Sequence, residues 1–418
     1  MQKHDSSFFR FINDNLNSDP IKLRLKYAGK HDDFPYDFAV IQIESRKKYR
    51  EKLKKFISEP GVLFPDSLAG EQASHEAIAK FHASLIEKSS FLLDMTGGLG
   101  IDSLQFSNVC DKVITIEKDK NKAETLTHNL KIKKIANIEV INGDSIDYLR
   151  DSQLMFDVIF IDPARRDASL RRVYAITDCE PDVGKFLNDI LEKTGKLMIK
   201  ASPLLDITQT VKDFPELTSI RAVGVKGECK EILLEFDKEE ACRLGSQGKE
   251  NSGNILCEAI DLDNEGNVIS RFEEYLSEVE KEEINFAGPE DLTETSFLYE
   301  PSAMLMKLKP WNSLIKKFPG LKKFAGSSHL FVSNTFYEGF PGRITKIEKI
   351  ITKQDRKTLK GFPANIVSRN YPETAEEIRK TLKVKEGSDK FIYASRLGNK
   401  PVMLLTSLLE PLKTESCR

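Results

Sequence analysis

The sequence predicts an α/β chain: a parallel sheet covered by helices on both faces, preceded by a helical region and followed by a smaller α+β domain. Three observations lead there. Between Phe91 and Phe236, short and nearly continuous apolar runs alternate with amphipathic stretches, the pattern of strands buried on both faces. Before Phe91, apolar residues recur at a helical period. After Ser296, helix-like and hairpin-like segments mix without that alternation.

Taken in order, residues 1–70 form the helical region. IQIESRKKYREKLKKFI places Ile41, Ile43, Tyr49, Leu53, Phe56 and Ile57 among basic residues at a period near 3.6. A second helical stretch runs from about Glu71 to Glu87. Residues 71–236 then supply seven strand candidates: FLLDM, KVITIE, NIEVIN, DVIFID, KLMIKA, TSIRAVGV and CKEILLEF. The last two are separated by a short turn at Lys226 and Gly227, which predicts an antiparallel pair closing the sheet edge. Residues 237–295 read as an acidic connector with one hairpin, ILCEAIDLDNEGNVISRF, bending at NEGN. Residues 296–418 read as a basic α+β domain. It contains a helix near Pro301–Phe318, a strand at HLFVSN and a strand-like RITKIEKII. NIVSRN, a helix at ETAEEIRKTLKV and the hairpin KFIYASRLGNKPVMLLTSL follow.

Composition excludes several classes. No apolar run approaches the ~18 residues of a membrane span. The opening MQKHDSSFFR lacks the layout of a secretory signal. The six cysteines are dispersed with no CxxC, which predicts neither a zinc site nor a disulfide framework and fits a reducing, cytoplasmic setting. The histidines show no metal-ligand spacing, so no metal is expected. A net charge of −2 conceals an asymmetry: residues 301–418 carry 23 Lys+Arg against 10 Asp+Glu, and residues 61–300 carry 27 against 46. A basic excess of that size predicts a polyanionic partner, RNA, for the C-terminal domain; a solvated basic surface balancing the acidic centre is the alternative. Lys316-Lys317, Lys322-Lys323 and Arg356-Lys357 are the clusters, with Trp311, Phe318 and Phe324 nearby for stacking.

The chemistry concentrates at the carboxyl ends of the strands, where open α/β sheets bind ligands. FLLDMTGGLGID puts Gly97, Gly98 and Gly100 directly after the first strand, so the backbone turns tightly and a ligand approaches without Cβ contact. Walker A is absent for want of a lysine, and the third glycine of a dinucleotide fingerprint is missing. The second strand ends in Glu117, which suits a ribose diol. The third leads to Asp144 and the fourth to Asp162-Pro163-Ala164-Arg165-Arg166. Each aspartate has an ordinary alternative as a helix cap.

This constellation resembles the class I S-adenosylmethionine-dependent methyltransferases, over roughly Glu71–Phe236. LAGEQASHEAIAKF, IDPARR, CEPD, KASPLLDI, FLYEPSAMLMK, FPGR, SRNYP and RLGNKPVMLL narrow it to a bacterial group carrying a C-terminal THUMP-like domain. The resemblance implies a Rossmann-like, seven-stranded sheet that binds S-adenosyl-L-methionine. It implies cofactor contacts from Asp94, Thr96, Gly97, Gly98, Gly100, Glu117, Asp144 and Ser145, with Gln72 and Ser74 from the preceding segment. Asp162, Pro163 and Arg165 are then the catalytic candidates. The motif also resembles that of RNA uracil-C5 methyltransferases, but the nucleophilic cysteine expected after the fifth strand is replaced by Ala201-Ser202-Pro203. The resulting expectation is methylation of a nitrogen on tRNA or rRNA. Alternatives are a protein or small-molecule substrate, or an RNA-associated protein that binds the cofactor without catalysis.

Overall fold

The computed structural model describes residues 6–30, 34–165, 179–246, 255–276, 284–387 and 389–409. The chain divides into two compact units, residues 1–276 and 277–418.

The first unit opens with α1 (Ser6–Asp14), α2 (Pro20–Tyr27) and α3 (Tyr36–Lys48). Phe8, Ile12, Leu23, Val40 and Ile43 join Leu63 in one apolar cluster there. The helix expected to continue to Ile57 breaks after Lys48 and resumes only as α4 (Lys54–Ile57). Arg46 accounts for the local fold. Its buried guanidinium donates to the carbonyls of Val62 (2.6 Å), Pro60 (3.0 Å) and Ile57 (3.3 Å), pulling the following segment back across α3. The stretch expected as one helix from Glu71 is also two, α5 (Ala69–Gln72) and α6 (Glu76–Ser84). The His75 ring nitrogen accepts from the Ala77 amide and caps the second.

All seven expected strands form. In chain order they are β1 (Phe91–Asp94), β2 (Lys112–Glu117), β3 (Ile138–Asn142), β4 (Phe156–Ile161), β7 (Thr194–Ala201), β8 (Ser219–Val225) and β9 (Glu228–Asp237). Two short strands, β5 (Ala164–Arg165) and β6 (Cys179–Glu180), pair only with each other. The helices between are α7 (Ile101–Phe106), α8 (Lys120–Ile132), α9 (Ser145–Asp151), α10 (Val183–Glu192) and α11 (Ile207–Asp213), followed by α12 (Lys238–Ser246).

The sheet is larger than expected. The hairpin β10 (Ile255–Leu262) and β11 (Val268–Leu276) joins it, giving nine strands in the order β11-β10-β8-β9-β7-β4-β1-β2-β3. The antiparallel pair β8–β9 therefore lies inside the sheet rather than closing its edge, because β10 pairs in parallel with β8. Arg221 on β8, 8% exposed, binds Glu235 on β9 and Glu258 on β10, and Arg271 on β11 reaches Glu258 as well. These carboxylates are buried and paired, which is what allows ions inside a sheet.

The second unit is α+β. Its seven-stranded sheet has the order β13-β14-β12-β15-β18-β17-β16. The strands are β12 (Phe297–Pro301), β13 (Lys322–Ala325), β14 (Ser328–Ser333), β15 (Gly342–Ile350), β16 (Asn365–Ser368), β17 (Lys390–Leu397) and β18 (Lys400–Leu408). The helix expected near Pro301–Phe318 splits into α13 (Ala303–Leu308) and α14 (Trp311–Lys317), since Lys309 turns left-handed (φ 54°) before Pro310. A last helix, α15 (Ala375–Leu382), carries a capping box between Thr374 and Glu377. No helix of the described residues is long and apolar enough to cross a membrane.

Candidate functional site

The glycines after β1 divide their work. A Cβ on Gly97 would lie 2.7 Å from Thr115 Oγ1 and 3.2 Å from the Ile116 carbonyl, so this residue seats the loop against β2. Gly100 has φ 82°, and a Cβ there would run into Leu126 of α8. Gly98 has φ 52° but open space around it; the nearest atom to its virtual Cβ is the Thr96 carbonyl at 3.9 Å. Gly98 is thus the residue that leaves room for a ligand, and its neighbours hold the backbone in shape.

Asp94 braces this loop from beneath rather than facing outward. It is 1% exposed and accepts hydrogen bonds from the Thr96 amide (3.0 Å) and the Ser103 hydroxyl. Burial lifts its carboxyl to about 7, against the pull of those two donors. Glu117 is half-buried at the end of β2. Its Oε2 accepts from the Gly98 amide at 2.8 Å and its Oε1 from the Asp119 amide at 2.8 Å, so the second strand end is tied to the glycine loop. Asp144 takes the cap role left open by the sequence. It caps α9 through the Ile146 amide (2.9 Å), with Lys118 at 3.5 Å from its other oxygen. Ser145 is the buried first residue of that helix.

Asp162 lies just past β4, beside the loop. Its amide donates to Thr96 Oγ1 at 2.7 Å, and its Oδ2 sits 2.5 Å from the Lys200 ammonium at the end of β7. Burial pushes the Asp162 carboxyl up, and Lys200 offsets part of that. Pro163 is half-buried beside it. The Arg165 backbone pairs with Cys179 in the β5–β6 ribbon. The Arg165 side chain, and Arg166 and Asp167, lie outside the described residues. Ser74 is brought into the site, while Gln72 stays exposed at the end of α5.

Behind Asp162 runs a chain of polar groups that sequence reasoning missed. Lys200 donates to Ser74 Oγ at 2.9 Å, and Ser74 donates to Asp102 on α7. Asp102 faces His82 Nδ1 at 2.9 Å, and His82 Nε2 faces Glu231 on β9 at 2.5 Å. His82 is fully buried. Burial alone would lower the imidazole; Glu231 and Asp102 outweigh it and raise it to about 10. Burial likewise opposes the charge on Lys200, yet Asp162, Glu231 and Asp102 raise it. The available signal was local: His82 falls on the buried face of α6, and Lys200 is a cation at a strand's carboxyl end.

The His82 interaction has a pH signature. A group whose folded value is raised contributes its stability fully below its unfolded value, near 6.5, and loses it as pH rises through about 10. Thermal melts from pH 7 to 10.5 should show Tm falling, and His82→Gln should remove that part of the fall. Equal slopes in the two proteins would show that His82 is uncharged in the fold.

In the second unit, the expected stacking residues are buried: Trp311 is 9% exposed, Phe318 7% and Phe324 0%. They are buried within the unit, so these rings do not present a face for stacking on a base. Of the lysine clusters, Lys322 pairs with Asp291 at 2.7 Å and Lys323 is 4% exposed. The Arg356 side chain lies outside the described part.

A parallel sheet with a glycine loop after β1, carboxylates after the next strands and an antiparallel β8–β9 pair defines the class: an S-adenosylmethionine-dependent methyltransferase fold. Family models agree. Residues 89–168 match the RNA cap guanine-N2 methyltransferase model, 297–341 a ferredoxin-like domain and 342–408 a THUMP domain-like model. The crystal structure of a candidate methyltransferase from Porphyromonas gingivalis W83 superposes with a TM-score of 0.82 at 25% identity, covering 97% of this chain and 98% of that one. The chain is therefore a methyltransferase-fold protein with a C-terminal THUMP-like domain.

Curated relatives match shorter stretches. An uncharacterized RNA methyltransferase of Mycoplasma mobile is 31% identical over 84 residues, 20% of this chain and 23% of that one. The 23S rRNA (uracil(1939)-C(5))-methyltransferase of Legionella pneumophila is 28% identical over 147 residues, 34% and 33% of the two chains. Ribosomal RNA small subunit methyltransferase J of Francisella philomiragia is 29% identical over 131 residues, 27% of this chain and 55% of that one. The matches thus span between about a quarter and about half of these relatives' lengths.

Proposed function

We propose that the chain methylates a nitrogen on RNA, with S-adenosyl-L-methionine as methyl donor. The observation that carries this reading is Asp162, hydrogen-bonded through its amide to the glycine loop and through its carboxylate to Lys200. The residues suit the cofactor: Gly98 leaves open space above the loop, and the Glu117 and Asp144 carboxylates stand at neighbouring strand ends. When bound, the cofactor supplies an electrophilic methyl group for in-line displacement. Asp162 then accepts a hydrogen bond from the substrate amine and orients its lone pair, with the Pro163 carbonyl as a second acceptor. Lys200 fixes the carboxylate and opposes the upward pull that burial exerts on it.

The Legionella relative is named for uracil-C5 chemistry, which needs a thiolate to add to the ring. At the corresponding place Ser202 stands, and its hydroxyl accepts from the Leu204 amide at 3.2 Å in a local turn. Nitrogen methylation fits that residue better. The test is transfer of labelled methyl groups to bulk RNA, followed by nucleoside digestion. An N-methylated base is the expected product. Label in 5-methyluridine overturns the nitrogen assignment, and label only in protein overturns the RNA assignment.

A further inference from the structure

The Lys200 ammonium has two anchors, and the second one leads into the core. An ammonium only donates, so Ser74 Oγ accepts from Lys200 at 2.9 Å. The single hydroxyl proton of Ser74 then goes to Asp102 Oδ2. The other Asp102 oxygen, Oδ1, faces His82 Nδ1 at 2.9 Å, and Glu231 Oε1 faces His82 Nε2 at 2.5 Å. With a carboxylate on each ring nitrogen, both nitrogens donate and His82 is an imidazolium. Every proton in the series therefore has one direction: Lys200 to Ser74, Ser74 to Asp102, and His82 to Asp102 and Glu231.

The members come from separate elements. Ser74 lies between α5 and α6, His82 on α6, Asp102 on α7, Glu231 on β9 and Lys200 on β7. Ser74, His82, Asp102 and Glu231 are buried, and the series opens to water only toward Asp162. Charge alternates along it. Burial lifts the Asp102 carboxyl, and His82 and Lys200 outweigh that and hold it below the usual range. A lysine head on a four-carbon stem keeps one place only where its acceptors are themselves held. Ser74 is such an acceptor, because Asp102 fixes its hydroxyl and His82 fixes Asp102. Lys200 occupies Asp162 Oδ2, which leaves Oδ1 for a substrate.

We propose that Ser74 is a positioning residue for methyl transfer and not a cofactor contact: braced by Asp102 and His82, it holds the Lys200 ammonium on Asp162 Oδ2 and so keeps Oδ1 aimed at the substrate amine. The role in transfer rests on the proposed function; the charge ladder itself rests on the hydrogen bonds.

The test uses the full chain with bulk RNA and S-adenosyl-L-methionine. Ser74→Ala should slow single-turnover transfer about tenfold or more, with the half-saturating RNA concentration and the affinity for S-adenosylhomocysteine unchanged. The acid limb of its rate–pH profile should move to higher pH, since a loosened Lys200 opposes the effect of burial on Asp162 less. Asp94, lifted to about 7 chiefly by burial, and Lys52, lowered to about 8 chiefly by burial, also titrate near this range. Asp94 is bonded to Thr96 and Ser103, and Lys52 to the Gly70 and Glu71 carbonyls, so their contributions are common to wild type and variant. Ser74→Cys, close in volume and a poor acceptor, should behave as alanine does, and Ser74→Thr, which keeps the hydroxyl, should restore rate and limb. In the wild type, nitrogen-15 spectra of labelled histidine should show both His82 ring nitrogens protonated at about pH 8, a readout that needs neither RNA nor a variant. A neutral His82 ring overturns the ladder. An unmoved rate and limb in Ser74→Ala and Ser74→Cys overturn the positioning role. So does a loss of S-adenosylhomocysteine affinity large enough to account for the slower rate, which makes Ser74 a cofactor contact. If the wild type methylates no RNA while His82 is doubly protonated, the proposed function fails and the ladder stands.

Discussion

Asp162→Asn should lower methyl transfer by about two orders of magnitude or more while leaving the affinity for S-adenosylhomocysteine nearly unchanged. The substitution keeps the shape and the amide bond to Thr96 Oγ1, and it removes the charge that faces Lys200. Its side chain is 30% exposed, so the lysine left behind keeps contact with water and with Ser74. That makes a folding defect a minor term here, unlike at His82, where removing one partner strands two buried carboxylates at a cost of about 3–5 kcal/mol. Lys200→Met is the companion variant. It should shift the activity–pH profile of the methyl-transfer step to higher pH, because the Asp162 carboxyl loses the cation that opposes burial. Wild-type turnover by Asp162→Asn would place substrate activation elsewhere.

Gly98→Val should abolish cofactor binding, and the comparison with Gly98→Ala tells why. Any L side chain at φ 52° costs about 1–2 kcal/mol in backbone strain. Strain alone would show equally in melting temperature and would weaken binding by little more than one order of magnitude. A Cβ that also enters the ligand's space should remove calorimetric binding altogether in a protein that still folds. Gly97→Val should behave differently, since Thr115 Oγ1 at 2.7 Å and the Ile116 carbonyl are in the way: the loop itself must move, and stability should fall with affinity. Unchanged affinity for S-adenosylhomocysteine in folded Gly98→Val would remove the cofactor assignment.

The strands of the first unit were legible because each is a short apolar run between helix signals, and period alone distinguishes the two. The loop glycines were legible as a cluster, but their separate roles were not: that Gly97 meets β2 and Gly100 meets α8 is set by the packing around the loop, not by its sequence. Helix breaks at Tyr49 and Lys309 escaped notice because the apolar spacing continues across them, while Arg46 and a left-handed lysine decide the geometry. The polar chain from Lys200 to Glu231 escaped for a deeper reason. Its members are 149 residues apart at the widest direct bond, and no local pattern records such a contact. The aromatic residues near the lysine clusters misled in the opposite sense. Adjacency in sequence suggested a stacking platform, whereas β13 is buried from Lys323 to Ala325 and α14 packs Trp311 inward.

The annexed hairpin β10–β11 changes where the catalytic half of the molecule can be cut. A fragment ending at Phe236 would bare β8 along its whole length and take Glu258 away from Arg221, leaving it Glu235 alone. Such an open edge recruits other chains. Ending instead after Leu276 leaves β11 outermost, a strand that presents Arg271, Glu273 and Glu274 among its apolar residues and so discourages further pairing. The forty residues after the seventh strand, which read as a tether, are in this sense the sheet's own selvedge, woven in before the second unit begins.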